Sequence, residues 1–265
     1  MSLLDQYLLD QQSLDVDMPD IFVSPEEWTG FLQEVLETTV AAYHILKRES
    51  IVSSSWEEDT FTINMERYMN LLTRRYKFPL RTQTQRLIYT PEMMAGEVSP
   101  KKAVKLDIKI WDKNWDNEDE IYFTWECKLI VDKAREDKHK RLVHEYITNG
   151  IVRFLDANWR YAQVVNDAGI LGYVLYGEVA QIVEAINQEM LAIPRRPESS
   201  MKDVRAMQAL QAARKLSSSD QLKLCNPGPV NNFIFYESCH RRHFCNQDIR
   251  LYHFFLTFDL ISPAG

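Results

Sequence analysis

The reading of this chain turns on Val104-Lys-Leu-Asp-Ile-Lys-Ile-Trp111 and on Ile121-Tyr-Phe-Thr-Trp-Glu-Cys-Lys-Leu-Ile130. Both stretches alternate apolar and polar side chains, the period of a half-buried β-strand. In the first, Val104, Leu106, Ile108 and Ile110 are expected on one face, which turns Asp107 to the other. In the second, Ile121, Phe123, Trp125, Cys127 and Leu129 share a face. Glu126 and Lys128 then project together from the opposite one, roughly 7 Å apart along the strand. The polar stretch Trp111 to Glu120 joins the two as a turn longer than a tight hairpin. Two carboxylates and a lysine converging beside a hairpin are what metal-dependent hydrolysis of a phosphodiester requires.

The triplet Glu-x-Lys proves little alone, because Glu136-Asp-Lys138 repeats it a few residues later. That copy lies in the charged run Lys133 to Arg141, which reads as the solvated face of a helix. The copy at 126–128 differs in spending polar positions among Trp125, Cys127, Leu129 and Ile130. From the pattern alone, a salt bridge on the outer face of an antiparallel pair is an equal reading.

With 265 residues and 45% hydrophobic content, the chain can bury a substantial core, as one domain or one domain with appendages. No apolar run has the length of a membrane span and no signal-like N-terminus is present, so a cytoplasmic location is expected. Four cysteines without regular spacing argue against a disulfide framework. The net charge of −7 sits awkwardly with nucleic acid as a partner. Acid, however, is concentrated in the first sixty residues and at 112–120, while Lys and Arg gather at 133–141, at Arg195-Arg196 and at 202–215.

Outward from the two strands, the chain divides into an acidic tail and helix (1–55), a core (56–193), a basic arm or insertion (194–229) and a C-terminal hairpin (230–265). Ser24-Pro-Glu-Glu27 carries a capping box and starts a helix to about Lys47. A second helix is expected over 57–75, strands near 84–90, 104–111 and 121–130, a helix over 133–149 and a strand over 169–176. A helix from Glu178 to Leu191 follows, then a basic helix at about 201–215 that looks like a mobile arm rather than core. Two strands, 232–238 and 248–258, close the chain. Around them lie Cys225, Cys239, His240, His243, Cys245 and His253, which match no standard zinc spacing. The favoured reading is a hairpin rim with incidental cysteines.

An aspartate, then a strand bearing Glu-x-Lys, then a basic helix resembles the PD-(D/E)XK, or restriction-endonuclease-like, nuclease superfamily. The similar portion runs from about Glu57 to Ala180, in the family order helix, three strands, helix, strand. One departure is Leu106, where a proline often precedes the aspartate. The resemblance implies an α/β fold (mixed α+β) with a central mixed β-sheet flanked by helices, extended here by an N-terminal helix and a C-terminal hairpin. It implies that Asp107 and Glu126 ligate Mg²⁺ or Mn²⁺, joined by the Cys127 backbone carbonyl, and that Lys128 orients and helps deprotonate the attacking water. Related nucleases often place a further carboxylate on the opening helix. Glu58 is the candidate here, with Asp59 behind it, although both also suit a helix N-terminus.

The implied activity is divalent-metal-dependent endonucleolytic hydrolysis of DNA, with RNA not excluded. Lys138, Arg141, Tyr146, His240 and Arg241 are the candidate nucleic-acid contacts, each with a solvated-charge or core-packing alternative. The competing function is a non-catalytic, nucleic-acid- or protein-binding subunit of a defence or repair complex, favoured by the acidic balance and the appendages. A protein partner or homo-oligomer would suit those appendages. By analogy alone, small free-standing members of the superfamily often act in bacterial anti-phage defence.

Overall fold

The computed structural model describes residues 23–49, 52–88, 91–97, 99, 103–116, 121–132, 136–156, 165–195, 204–225, 230, 233–242, 245 and 247–260. The acidic tail 1–22, Lys133, Arg135, Arg196 and His243 lie outside the described residues.

Helix α1 (Pro25–Arg48) begins as its sequence dictates. The Glu27 N–H donates to Ser24 Oγ at 3.2 Å and the Ser24 N–H donates to Glu27 Oε2 at 2.9 Å, so two otherwise orphaned donors are satisfied reciprocally. Helix α2 (Glu58–Tyr76) has Glu58 and Asp59 in its first turn and Arg74 and Arg75 in its last, the charge order that a helix dipole favours. Strand β1 (Leu80–Ile88) follows, then β2 (Val104–Asp112), β3 (Phe123–Ile130), α3 (Glu136–Thr148) and β4 (Asp167–Val174). Glu58 to Val174 therefore runs helix, three strands, helix, strand, apart from single helical turns at Pro91–Met94 and Ile151–Phe154. Next come α4 (Val179–Ala192), α5 (Val204–Ala213), β5 (Lys223–Cys225), β6 (Phe235–Arg241) and β7 (Asp248–Thr257). The first strand begins four residues upstream of the expected 84–90.

The strands form one mixed seven-stranded sheet in the order β1-β2-β3-β4-β7-β6-β5. The outer pairs on each side are antiparallel, whereas β3, β4 and β7 run parallel. Parallel neighbours require a crossover, which α3 supplies between β3 and β4. Both faces are then covered, and each has its own apolar core. Phe61, Met65 and Met69 of α2 and Leu36 of α1 pack on Trp125, Tyr173 and Phe254. On the other face, Tyr146 and Ile147 of α3 and Ile182 and Ile186 of α4 pack on Ile170 and Leu251. At Gly169 on β4, an added Cβ would lie 2.1 Å from the Trp125 ring. That glycine is what lets the indole lie flat across the next strand.

Two expectations are corrected. The alternation along β2 breaks: Ile108 and Ile110 join the α1–α2 core, but Leu106 joins the opposite one. The described part of the basic arm is not detached, because Ala209, Ala212, Ala213 and Leu216 are buried in the second core. Small residues on one helical face allow that close approach. No helix among the described residues is long and apolar enough to cross a membrane.

Candidate active site

Strands β2 and β3 are paired at Ile108↔Trp125, Lys109↔Thr124 and Ile110↔Phe123, and no further. Past Trp125, the β3 amides that would face β2 need other acceptors. The Cys127 N–H donates to Asp107 Oδ2 at 2.8 Å, and the Leu129 N–H donates to Glu58 Oε2 at 3.2 Å. Two carboxylates thus take over the ladder where the strands part. This places Glu58, at the first turn of α2, beside Asp107 and the Glu-x-Lys strand.

The β1–β2 ladder is disturbed at the same level. Thr84 pairs with Ile108 and Arg86 with Leu106, but Gln85 and Asp107 between them are not paired. Gln85 has φ 58°, the left-handed region, which costs a non-glycine residue about 1–2 kcal/mol. The distorted pair lies between Leu106 and Ile108, where the side-chain alternation breaks, and it presents Asp107 to β3. Nothing local in Thr-Gln-Thr-Gln-Arg predicts it.

Lys128 gathers the cluster. Its Nζ lies 2.7 Å from Glu126 Oε1 and 3.1 Å from Glu58 Oε1, and it donates to the Cys127 carbonyl at 2.5 Å. Burial alone would lower the Lys128 pKa, but Glu126, Glu58 and Asp107 outweigh it, and the ammonium is held charged. The Asp107 carboxyl is pushed up to about 7, first by burial and then by the adjacent Glu126 charge. Glu126 is fully buried, and its Oε1 also accepts from Arg153 Nη1 at 2.6 Å. Its Oε2 is buried without a hydrogen-bond partner. A buried carboxylate oxygen left unpaired costs at least about 1–3 kcal/mol.

Asp107, Glu126, Glu58 and the Cys127 carbonyl offer hard oxygens of the kind that Mg²⁺ and Mn²⁺ take. Among the described residues, however, no three Asp, Glu, His or Cys side chains form a preformed ligand cluster. The Lys128 ammonium instead lies among the three oxygens of Glu58, Glu126 and Cys127. Cys127 Sγ faces the first core and accepts from the Tyr173 hydroxyl at 3.2 Å, so only its carbonyl can serve the site.

Arg153 is a member of the site that the sequence reading misses. It stands in Ile151-Val-Arg-Phe-Leu155, an arginine inside an apolar run, and that oddity is its one available signal.

The remaining candidates do not converge here. Arg141 is exposed and paired with Glu145 at 3.2 Å, and Arg241 with Asp248 at 3.0 Å. Lys138 is half-buried on α3. Tyr146 and His240 are buried, which removes both from any nucleic-acid-facing surface. They belong to one internal chain of hydrogen bonds: Tyr146 Oη to His253 Nδ1 (2.8 Å), His253 Nε2 to Ser238 Oγ (2.7 Å), Ser238 Oγ to His240 Nε2 (2.6 Å), His240 Nδ1 to Asp220 Oδ1 (2.9 Å). Both histidines are committed there, and among the described residues no zinc-type cluster forms around the free Cys225, Cys239 and Cys245. Two clefts, one between α3 and α4 and one floored by His240 and Asp220, are lined by none of Glu58, Asp107, Glu126 or Lys128.

Compared with family models, with curated proteins and with solved structures, the chain matches none of them.

Proposed function

We propose that this chain is a divalent-metal-dependent endonuclease that hydrolyses DNA, with the PD-(D/E)XK type of site. One observation carries the reading: Glu58, Asp107, Glu126 and Lys128 come from three separate segments and meet where β2 and β3 part, around the unpartnered Glu126 Oε2. Asp107, Glu126, Glu58 and the Cys127 carbonyl would hold Mg²⁺ or Mn²⁺, in competition with Lys128. When bound, the ion would supply Lewis-acid polarisation of the phosphate and a more acidic water. Lys128, held as an ammonium, would then orient the attacking water and balance the charge that develops on the phosphate. Arg153 keeps Glu126 Oε1 occupied and so directs Oε2 to the ligand.

A second reading rests on charge. With Asp107 protonated, Glu58 and Glu126 are balanced by Lys128 and Arg153, so the cluster closes without any ion. That suits a binding subunit that keeps the fold and lacks the activity.

Cleavage of plasmid, single-stranded DNA and RNA with and without Mn²⁺ separates the two. Asp107→Asn is the sharpest variant, because an amide oxygen can still accept from the Cys127 N–H. Its cleavage rate is expected to fall by at least about 10²-fold, the scale of loss when a carboxylate that steadies a metal ion or moves a proton is neutralised. Circular dichroism should show the folded structure retained. Lys128→Ala is a poorer probe, since removing one partner of a buried pair costs about 3–5 kcal/mol. Cleavage by Asp107→Asn at the wild-type rate, or none by the wild type on any substrate, would sink the nuclease reading.

A further inference from the structure

Helix α2 presents to solvent a stripe that neither core uses. Ile63 is 50% and Leu71 47% exposed, and Tyr76 just below them is 58% exposed. Arg67 and Arg74 are exposed as well, and positions 63, 67, 71 and 74 follow the i, i+4, i+8, i+11 spacing of one helical face. Arg75 and Lys77 continue the charge to the end of the helix, and Arg81 carries it onto edge strand β1. Among the described residues, none of these five cations has an ion-pair partner. Arg67 and Arg75 lie over the rings of Tyr68 and Tyr76, and Arg81 donates to the Leu80 carbonyl. The acid within the stretch, Glu66, is turned to Asn70 and Thr84. Among the described residues, nothing covers this basic face with its exposed aliphatics, on a chain of net charge −7.

The same chain contains its complement. Residues 1–22 carry Asp5, Asp10, Asp15, Asp17 and Asp20 and no Lys, Arg or His, interleaved with apolar residues such as Leu4, Leu8, Leu14 and Ile21. The place where this segment joins the fold is known. Trp28, in the first turns of α1, stacks on Trp115 at 6.0 Å. The Trp115 N–H donates to the Asp112 carbonyl, and the Lys113 N–H donates to the carbonyl of Pro79, three residues beyond the end of α2. Trp28 Nε1–H also donates to Asp167 Oδ2 at 2.8 Å, and Val23 packs against the second core. The segment therefore leaves the fold at the end of the sheet where α2 also ends, since Leu80 of β1 pairs with Asp112 there. Twenty-two residues reach up to about 70 Å when extended, whereas the 19 residues of α2 span about 28 Å.

We propose that the acidic segment 1–22 docks on the α2 stripe, its aspartates facing Arg67, Arg74, Arg75, Lys77 and Arg81 and its apolar residues covering Ile63 and Leu71. Charge alone would admit a nucleic-acid backbone. Two half-exposed aliphatics set among the arginines do not suit phosphate, whereas covering them with apolar side chains gains about 25 cal/mol per Å². The contact is independent of the nuclease reading. Its consequence is that this basic face is masked by the chain itself, to a degree that falls as salt rises.

Methyl-resolved NMR on the full-length chain tests this. Changing Asp5, Asp10, Asp15, Asp17 and Asp20 together to Asn is expected to shift the Ile63 and Leu71 methyl signals by more than a linewidth. Ile182, on the far side of the sheet, should be unmoved. The double variant Arg67→Glu/Arg74→Glu should sharpen the signals of residues 1–22. Shifts that persist on dilution indicate docking within one chain. Unchanged Ile63 and Leu71 signals in the five-Asn variant would overturn the proposal. So would shifts that vanish on dilution, which indicate a second copy on the stripe. A short DNA duplex that covers Ile63 and Leu71 equally in the wild type and the five-Asn variant would overturn it too.

Discussion

Asp107 is bonded to the Cys127 N–H where β2 and β3 part, and its surroundings disfavour it as an anion. Its folded-state pKa, about 7, stands above the ordinary 3.8 because of burial and the Glu126 charge. A carboxyl raised on folding is protonated in the native state over a range where the unfolded chain is ionised. Between about 4 and about 7 the folded protein therefore binds more protons, and stability falls as pH rises through that window. The full shift corresponds to at most about 4 kcal/mol, taking 1.36 kcal/mol per unit. Asp107→Asn mimics the protonated form. In urea titrations of chelator-treated protein its stability is expected to match the wild type's only below about pH 4 and to exceed it by a margin that grows between about pH 4 and about pH 7 and then stays constant. Parallel curves for the two proteins across that range would show that Asp107 does not carry this cost.

At the scale of elements, the β1–β2 pair shows how one residue redirects a strand. Gln85 sits in left-handed backbone opposite Asp107, a conformation that glycine enters without penalty and a β-branched residue resists. Gln85→Gly is expected to raise stability by about 0.5–1 kcal/mol, the strain relieved less the entropy that glycine adds. Gln85→Val should lower it by at least about 1 kcal/mol and disturb Asp107. Equal denaturation midpoints for the two variants would mean that the kink is not strained.

The same pair marks the limit of legibility. Helix α1 can be read residue by residue, since Ser24, Pro25 and Glu27 act within one turn. Glu126 and Lys128 can be placed on the polar face of β3, because alternation is also local. The face switch at Leu106 cannot, because it depends on a backbone distortion paired across two strands. Arg153 escapes notice for a related reason: only the tertiary fold carries the turn Ile151–Phe154 to Glu126. Helix α5 looks detached in sequence because its flanking Pro, Ser and Arg hide the small face of Ala209, Ala212 and Ala213.

At the scale of the whole molecule, the buried chain from Tyr146 to Asp220 ties the C-terminal strands to the helix that crosses between β3 and β4. One assignment of protons satisfies every link: Tyr146 donates to His253 Nδ1, His253 Nε2–H to Ser238, Ser238 to His240 Nε2, and His240 Nδ1–H to Asp220. It requires a neutral His253, and both burial and the nearby His240 hold that pKa well below 6.5. On Asp220, bonds from His240 and Ser217 outweigh burial and keep the carboxylate ionised. Below pH 6.5 the unfolded chain takes up a proton at His253 that the folded chain refuses. Stability should therefore fall by about 1.4 kcal/mol per pH unit from this group alone as pH drops. His253→Gln removes that titration, so its stability should fall less steeply between about pH 6.5 and pH 5 than that of the wild type, even if its value at neutral pH is lower. Denaturation midpoints at several pH values read the slope directly. An unchanged slope in His253→Gln would place the acid sensitivity elsewhere, whereas a flattened one would make this internal chain the link whose loss on acidification releases the C-terminal strands from α3.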